Sequence, residues 1–294
     1  MNKLNLALLA TLLAPLPAHA TLSWNFTTGN SVNYGQNGTF AGSSGAGSVT
    51  VSAFSTTCDS TSSTTSCYSN DAYSTERFQN ATLGSWSGGI GVQSAEDGSF
   101  GSVPHHAFDN DGGYNDSAND EGPGGDVDAA VFAFAQSVNL TSLSIGWDGG
   151  TPGYDADISV LAYTGAGNPL SSILGKTYAQ LLSSGWTLIG NYSELDHPSN
   201  PTVSINPNNI SSSYWLVSAY TSCANANASN GYTCVADSNS SLDFGDDFFK
   251  ISGLTGTAGG TTPPSSVPEP SSLLLLSMGL LGWKLNRNKK ASSL

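Results

Sequence analysis

The sequence predicts an all-β protein, an antiparallel β-sandwich of jelly-roll type with one short helix. Runs of β-branched and aromatic residues recur along the chain and are bounded by glycine, asparagine and proline. Several runs alternate, so that at 143–147 and 158–163 the larger apolar groups tend to fall on one face. No internal repeat is evident, which argues against a solenoid or a propeller.

The elements follow from this pattern in chain order. Strands are predicted at residues 22–26, 48–54, 126–135, 142–147, 157–163, 186–192, 202–205, 214–220 and 247–251. One helix is predicted at 178–182, opened by Lys176-Thr177 and stopped at Gly185. Residues 29–125 are predicted to be rich in loops, whereas strands are denser from 126 to 253.

The first 20 residues have the order of a secretory signal peptide. Lys3 precedes an apolar run at 4–13, and Ala18-His19-Ala20 supplies the small-x-small pattern of a cleavage site. We therefore expect signal peptidase to cleave before Thr21 and the mature chain to be exported.

The other end has three parts in a fixed order. Val267-Pro268-Glu269-Pro270 is predicted to be extended, because its prolines fix φ and remove backbone donors. An apolar run at 273–283 and a basic tail follow; the run is shorter than the roughly 20 residues of a spanning helix, so membrane contact is predicted to be transient. This order resembles the PEP-CTERM sorting signal that exosortase processes in Gram-negative bacteria. An ordinary tail anchor is the alternative.

These ends define the predicted organisation of the chain. The signal peptide is 1–20, the secreted β-sandwich domain 21–254, a Gly/Thr/Pro/Ser linker 255–266 and the sorting signal 267–294. The linker would hold the sorting signal away from the folded domain.

Charge restricts the partners of the mature region. Between the two terminal segments lie 21 of the 22 acidic residues but only three basic ones, Arg77, Lys176 and Lys250, a formal net charge of −18. Nucleic acid is excluded because neutralising phosphates needs clustered Lys and Arg. Anionic membrane surfaces are disfavoured for the same reason. Cations and neutral sugars remain as ligands.

Four cysteines remain in an exported, oxidising context, and three pairings are possible. The two local pairs, Cys58 with Cys67 and Cys223 with Cys234, would each close a small polar loop and are preferred. A metal site at these cysteines is disfavoured, since neither pair has the short C-x₂-C spacing.

The strongest candidate site lies between His105 and Asp128. Its carboxylates alternate with glycine and asparagine, and Ca²⁺ takes about six to eight oxygen ligands from such loops. No Lys or Arg occurs from Glu96 to Asp155, so the carboxylates repel one another unless a cation is bound. We expect a structural calcium ion here, with a solvated acidic loop as the alternative. The candidate ligands are Asp109, Asp111, Asp116, Asp120, Asp126 and Asp128.

Other patterns point to binding rather than catalysis. Trp86, between serines in a glycine-rich stretch, is the best candidate for an exposed sugar-stacking residue, although tryptophans in β-sandwiches are more often in the core. Adjacent His105 and His106 point to opposite sides of an extended segment, so they cannot easily share one ion. Neither G-x-S-x-G nor H-E-x-x-H occurs, and no catalytic residue is predicted.

The body of the chain is also similar to a family of exosortase-dependent surface proteins. The similarity covers most of the chain after His105, including 106–110, 157–165 and 185–192. It implies retention at the cell surface or in the extracellular matrix, but no activity. We expect a structural or adhesive role in an exopolysaccharide or biofilm matrix. The alternatives are a carbohydrate-binding module for an exopolysaccharide and a secreted polysaccharide hydrolase.

Overall fold

The computed structural model describes residues 20–43, 45–57, 77–95, 97, 99–101, 103, 106–110, 127–148, 154–195, 202–242 and 245–259. The chain divides into two units, Met1–Gly259 and Gly260–Leu294, and every described residue belongs to the first. Among these residues, no helix has the length and apolar character needed to cross a membrane.

The described residues form fourteen β-strands and one α-helix. The strands are β1 Thr21–Asn25, β2 Val32–Asn33, β3 Asn37–Ala41, β4 Ser48–Thr57, β5 Arg77–Asn80, β6 Thr82–Trp86, β7 Gly89–Gln93, β8 Phe108–Asp109, β9 Asp128–Trp147, β10 Ile158–Tyr163, β11 Trp186–Tyr192, β12 Thr202–Ser204, β13 Ser212–Ala219 and β14 Phe248–Ala258. The helix, α1, is Tyr178–Leu182. All pairings between these strands are antiparallel.

Strand β9 is 20 residues long and organises the fold. Its first half lies between β4 and β13, and β10 and β11 extend this layer beyond β13. Its second half lies between β12 and β14. The other edge of β14 pairs with β1, with β8 and, at one position, with β7, which leads on to β6 and β2. Strand β9 therefore joins the strands that pair with its first half to those that pair with its second half.

The core is a single hydrophobic cluster to which both halves of β9 contribute. Its largest fully buried side chains include Trp24 of β1, Phe132 of β9 and Trp215 of β13. Trp24 packs edge-on against Phe134 with ring centroids 4.6 Å apart. This architecture confirms the predicted all-β, antiparallel, sandwich-like fold.

Several predicted elements match their observed bounds. Strand β11 and helix α1 begin and end where the sequence predicts. The helix has a capping box: the Thr177 side chain accepts a hydrogen bond from the Gln180 backbone N–H, and the Gln180 side chain accepts one from the Thr177 backbone N–H. Thr177 is therefore the N-cap of α1.

Two of the differences from the predicted boundaries change the organisation of the chain. The runs at 126–135 and 142–147 belong to one strand, because β9 continues through the exposed pair Ala135 and Gln136. Strand β14 extends to Ala258, so the linker predicted from Thr255 is wrong in its first four residues. Those residues pair with β9 and β1.

Residues 29–125 are predicted to be rich in loops, but the described part of that region contains seven strands, β2 to β8. Glycines in these strands mark close packing rather than turns. A Cβ atom at Gly84 would lie 2.1 Å from the Trp86 ring, and one at Gly91 would lie 2.2 Å from the His106 carbonyl oxygen. Glycine is required there because another group occupies the space of a side chain.

Candidate functional site

Three buried carboxylates from separate segments meet beside the start of β9. Asp128 is the first residue of β9, Asp109 is the second residue of β8, and Asp97 lies four residues after β7 ends. Each contributes an oxygen atom, and these oxygens all lie within 4.8 Å of one another. We call these three residues the Asp128 cluster.

Asp128 is the least satisfied member of this cluster. Its side chain is 0% exposed, and neither carboxylate oxygen has a hydrogen-bond partner among the described residues. Burial raises the pKa of Asp128 well above its usual value, and the charge of Asp97 raises it further. The nearby Ser55 side chain and Asp109 backbone lower this pKa without reaching normal hydrogen-bond geometry. The Ser55 hydroxyl donates instead to the Thr56 carbonyl oxygen, at 3.3 Å.

The segment that carries Asp97 is fixed by hydrogen bonds to the end of β7. The Gln93 side-chain amide donates to the Ser99 carbonyl oxygen at 2.9 Å, and its oxygen accepts from the Gly101 backbone N–H at 3.1 Å. The Asp97 carboxylate accepts from the Ser94 backbone N–H. Asp97 is therefore positioned by its own turn.

A second group of carboxylates lies at the start of β10 and β14. Asp155, Asp157 and Asp247 bring carboxylate oxygens within 4.8 Å of one another, and we call them the Asp247 cluster. Asp247 accepts hydrogen bonds from the Asn110 side-chain amide and from the Asp157 backbone N–H. Asp157 accepts one from the Glu194 backbone N–H at 2.8 Å. Burial, followed by the charge of Asp157, raises the pKa of Asp247 well above its usual value.

The two clusters share one short segment. Asp109 belongs to the Asp128 cluster, and the next residue, Asn110, binds the Asp247 cluster. Strand β8 pairs with Phe248 and Phe249 of β14, directly after Asp247. Asn110 also donates to the Tyr220 carbonyl oxygen and accepts from the Gly245 backbone N–H. Residues 106–110 therefore link both groups of acids.

The structure brings together two of the predicted calcium ligands, Asp109 and Asp128. Asp111, Asp116, Asp120 and Asp126 lie outside the described residues. Sequence reasoning missed Asp97 because it precedes the acidic stretch and lies on a different segment. It also missed the Asp247 cluster, whose signal is weak: carboxylates just before two separate strands at 158 and 248.

The prediction that Trp86 is exposed is wrong. Trp86 ends β6, is 9% exposed and stacks on Phe100, whose own exposure is 38%. The Lys250 ammonium lies 3.5 Å from the centre of the Trp147 ring and 3.2 Å from His106 Nε2. Burial lowers the pKa of Lys250 to about 7. Phe100, His106 and Lys250 therefore lie around the Trp86 ring on which a sugar was expected to stack.

A polar groove of about 490 Å³ lies over β1, β14 and the second half of β9. Its lining includes Ser23, Asn25, Ser144, Ser252 and Thr255, together with the β6–β7 turn at Ser87 and Gly88. None of the lining residues carries a formal charge. The only aromatic residue among them, Trp24, is buried and donates its indole N–H to the Gly47 carbonyl oxygen.

The strand register explains why hydroxyl side chains lie next to one another on this surface. Asn25, Gly253, Ser144 and Thr202 form one row across four strands. Ser23, Thr255, Ser142 and Ser204 form the next outward-facing row, because alternate residues share a face. Ser144 and Thr202 hydrogen-bond through their hydroxyls at 2.8 Å. The result is a patch of hydroxyl and amide groups in a strongly acidic domain.

The remaining predicted residues are placed as follows. Cys223 and Cys234 form a disulfide bond, which confirms the second local pair. Cys58, Cys67, Ala18, Val267, Pro268, Glu269 and Pro270 lie outside the described residues. Ala20 is exposed and directly precedes β1, so the predicted cleavage before Thr21 would leave that strand complete.

Comparison with known proteins identifies one segment. Residues 266–289 match the family model of the PEP-CTERM protein-sorting motif, which confirms the predicted sorting signal. A search of curated protein sequences finds no match to the chain. The chain therefore carries a PEP-CTERM sorting motif and is an exported protein that exosortase processes and sorts to the cell envelope.

Proposed function

We propose that this protein is a structural or adhesive component of an extracellular polysaccharide matrix, retained at the surface of a Gram-negative cell and stabilised by calcium. The observation that carries the adhesive role is the uncharged polar groove over β1, β14 and β9. Neutral glycans exchange hydrogen bonds with hydroxyl and amide groups without desolvating an ionised side chain.

The charge of the domain favours a neutral polysaccharide over an acidic one. The region between the terminal signals carries a formal net charge of −18, which repels polyanions over about 8–10 Å at physiological ionic strength. No such charge lines the groove. A neutral chain is therefore the ligand class that fits best.

The chemistry of the groove also predicts weak binding at each site. Strong small-ligand sites combine apolar or aromatic walls with a few polar groups, whereas the only aromatic residue in this lining is buried. Weak contacts suffice for a matrix protein, because a repetitive polysaccharide engages many copies at once and avidity multiplies their effect.

The proposed role is binding rather than hydrolysis. A glycosidase places two carboxyl groups on either side of the scissile bond. In the two acid clusters of the described residues, five of the six carboxyl residues are buried, which does not suit groups that must flank a bound polysaccharide. This favours a structural role for both clusters.

The test is retention of the purified full chain on the neutral exopolysaccharide of the producing organism, with an acidic polysaccharide for comparison. We expect retention on the neutral polymer only. Ser87→Trp places a bulky ring at the groove and is expected to reduce retention severalfold, whereas Ser171→Trp, at an exposed serine outside the groove, is expected to leave it unchanged. Equal retention of the two variants would contradict the groove assignment. Absence of retention would contradict the adhesive role, and product release from the polymer would favour a hydrolase.

A further inference from the structure

The Asp128 cluster concentrates three carboxylates in the interior of the domain. Its three members are buried and their oxygens lie within 4.8 Å of one another. No basic group contributes to lowering the pKa of Asp128. Burying ionised carboxylates together is costly unless a cation or a set of donors balances them.

Asp128 provides the observation that points to a ligand. Strand β9 begins at this residue, and its pairing with Ser55 of β4 fixes the backbone. The side chain is fully buried, lies among the carboxylates of Asp97 and Asp109, and has no hydrogen-bond partner on either oxygen among the described residues. Native structures rarely leave a buried carboxylate without donors.

We propose that Asp97, Asp109 and Asp128 together bind a calcium ion, which fastens the turn after β7 and the short strand β8 to the start of β9. This assigns ligands to the calcium ion of the proposed function and does not depend on the polysaccharide groove. The ion neutralises the cluster and joins three segments that lie far apart in sequence.

The geometry suits a hard divalent cation. Calcium binds carboxylate oxygens at about 2.3–2.6 Å, so ligand atoms around one ion lie at most about 5 Å apart. The oxygens of this cluster satisfy that limit. Three carboxylates, each able to bind through one or two oxygens, supply much of the coordination that calcium requires. Magnesium demands a smaller octahedral shell and keeps more water, so we expect it to bind more weakly.

The Asp247 cluster is the internal control for this assignment. It has the same number of carboxylates, and their oxygens also lie within 4.8 Å of one another. However, Asp247 already accepts hydrogen bonds on both of its oxygens, from Asn110 and from Asp157. Protein donors therefore replace part of what a cation would supply there.

The experiment is calcium titration of the chelator-treated full chain by calorimetry, combined with thermal unfolding in calcium, magnesium or chelator. We expect calcium to raise the Tm of the wild type, with a smaller effect of magnesium. Asp128→Asn is expected to weaken calcium binding at least about tenfold and to remove the Tm shift. Asp97→Asn is expected to weaken it in the same direction.

Asp247→Asn separates this site from the other cluster and from a general loss of folding. We expect this variant to have a lower Tm in every condition and to keep the wild-type calcium affinity. A calcium response that persists in Asp128→Asn but disappears in Asp247→Asn would overturn the proposal, as would a wild type that binds no calcium. Loss of polysaccharide retention with an intact calcium response would instead count against the groove alone.

Discussion

Two groups of three carboxylates occur among the described residues, and they differ in their hydrogen bonding. In the Asp247 cluster, the central carboxylate accepts an amide from Asn110 and a backbone N–H from Asp157. In the Asp128 cluster, the central carboxylate is equally buried but has no hydrogen-bond partner among the described residues. Close grouping of three acids therefore does not by itself indicate a cation site. The need for a cation depends on how many hydrogen-bond donors the protein supplies to the carboxylates.

The comparison also shows how the fold makes each cluster. The Asp247 cluster forms where β10 and β14 start side by side, with Asp155 and Asp247 joined by an isolated bridge. The Asp128 cluster draws on three segments, one of which is a strand of only two residues. We expect the second arrangement to depend more on a bound ion because less of the sheet holds it.

The largest expected effect is from Asp247→Asn. Both carboxylate oxygens accept hydrogen bonds from N–H donors. In the asparagine side chain one of these oxygens is replaced by an NH₂ group, which would face an N–H donor and could not accept from it. We expect a loss of about 3 kcal/mol in the free energy of unfolding, equal in calcium and in chelator. Denaturant unfolding measures this loss, and a loss that appears only in chelator would place an ion in this cluster.

The next effect comes from Gly91→Ala, which acts on the segment shared by the two clusters. The new Cβ atom would lie 2.2 Å from the His106 carbonyl oxygen and would displace residues 106–110. We expect a destabilisation of about 2.5 kcal/mol together with weaker calcium binding. Gly29→Ala is the control, since nothing lies within 4 Å of its added Cβ atom. Calcium affinity unchanged in Gly91→Ala would mean that the shared segment does not position Asp109.

The effect of Asp128→Asn on the stability of the fold is expected to have opposite signs in chelator and in calcium. In chelator, removing a buried charge without donors is expected to stabilise the fold by about 2 kcal/mol. In saturating calcium, the same variant is expected to be less stable than the wild type because it loses the energy of ion binding. Thermal unfolding of both proteins in both conditions measures the crossover. A variant that is less stable in both would show that Asp128 has protein partners.

The smallest effect concerns Lys250, a buried cation whose nearest described partners are His106 and aromatic rings. Burial lowers its pKa from 10.5 to about 7, so between these values the folded state binds fewer protons than the unfolded state. Stability therefore rises as pH increases through this window. From pH 7 to 8 we expect the wild type to gain about 1 kcal/mol relative to Lys250→Met.

The cation–π contact with Trp147 opposes this trend, since it favours the charged form of Lys250. Parallel pH profiles for the wild type and Lys250→Met would mean that this contact offsets the cost of burial. Chemical denaturation at several pH values, with the difference taken between the two proteins, cancels the contribution of the carboxylates.

Much of the fold could be predicted because its signals are local. The alternation at 158–163, the run at 186–192 and the capped helix at 178–182 each depend on neighbouring residues, and the structure has strands and a helix there. The strands rich in glycine could not be predicted. By intrinsic propensity Gly84 and Gly91 indicate loops. In the structure each lies in a strand, where the Trp86 ring or the His106 carbonyl oxygen occupies the space that a side chain would need.

The site could be predicted in part for the same reason. Asp109 and Asp128 border one acidic stretch, so their involvement could be inferred from composition. Asp97 joins them only through the pairing of β8 with β14 and the turn after β7, and the sequence carries no local sign of it. The prediction that Trp86 is exposed was wrong because Lys250, His106 and Phe100 pack against its ring.

The central claim is that one acid cluster binds calcium and the other does not. A crystal structure of the full chain grown in calcium tests this most directly, through the anomalous signal of the ion. We expect a peak about 2.3–2.6 Å from oxygens of Asp97, Asp109 and Asp128, and none among Asp155, Asp157 and Asp247. A peak only in the Asp247 cluster, or no ion beside a hydrogen-bonded Asp128, would contradict it.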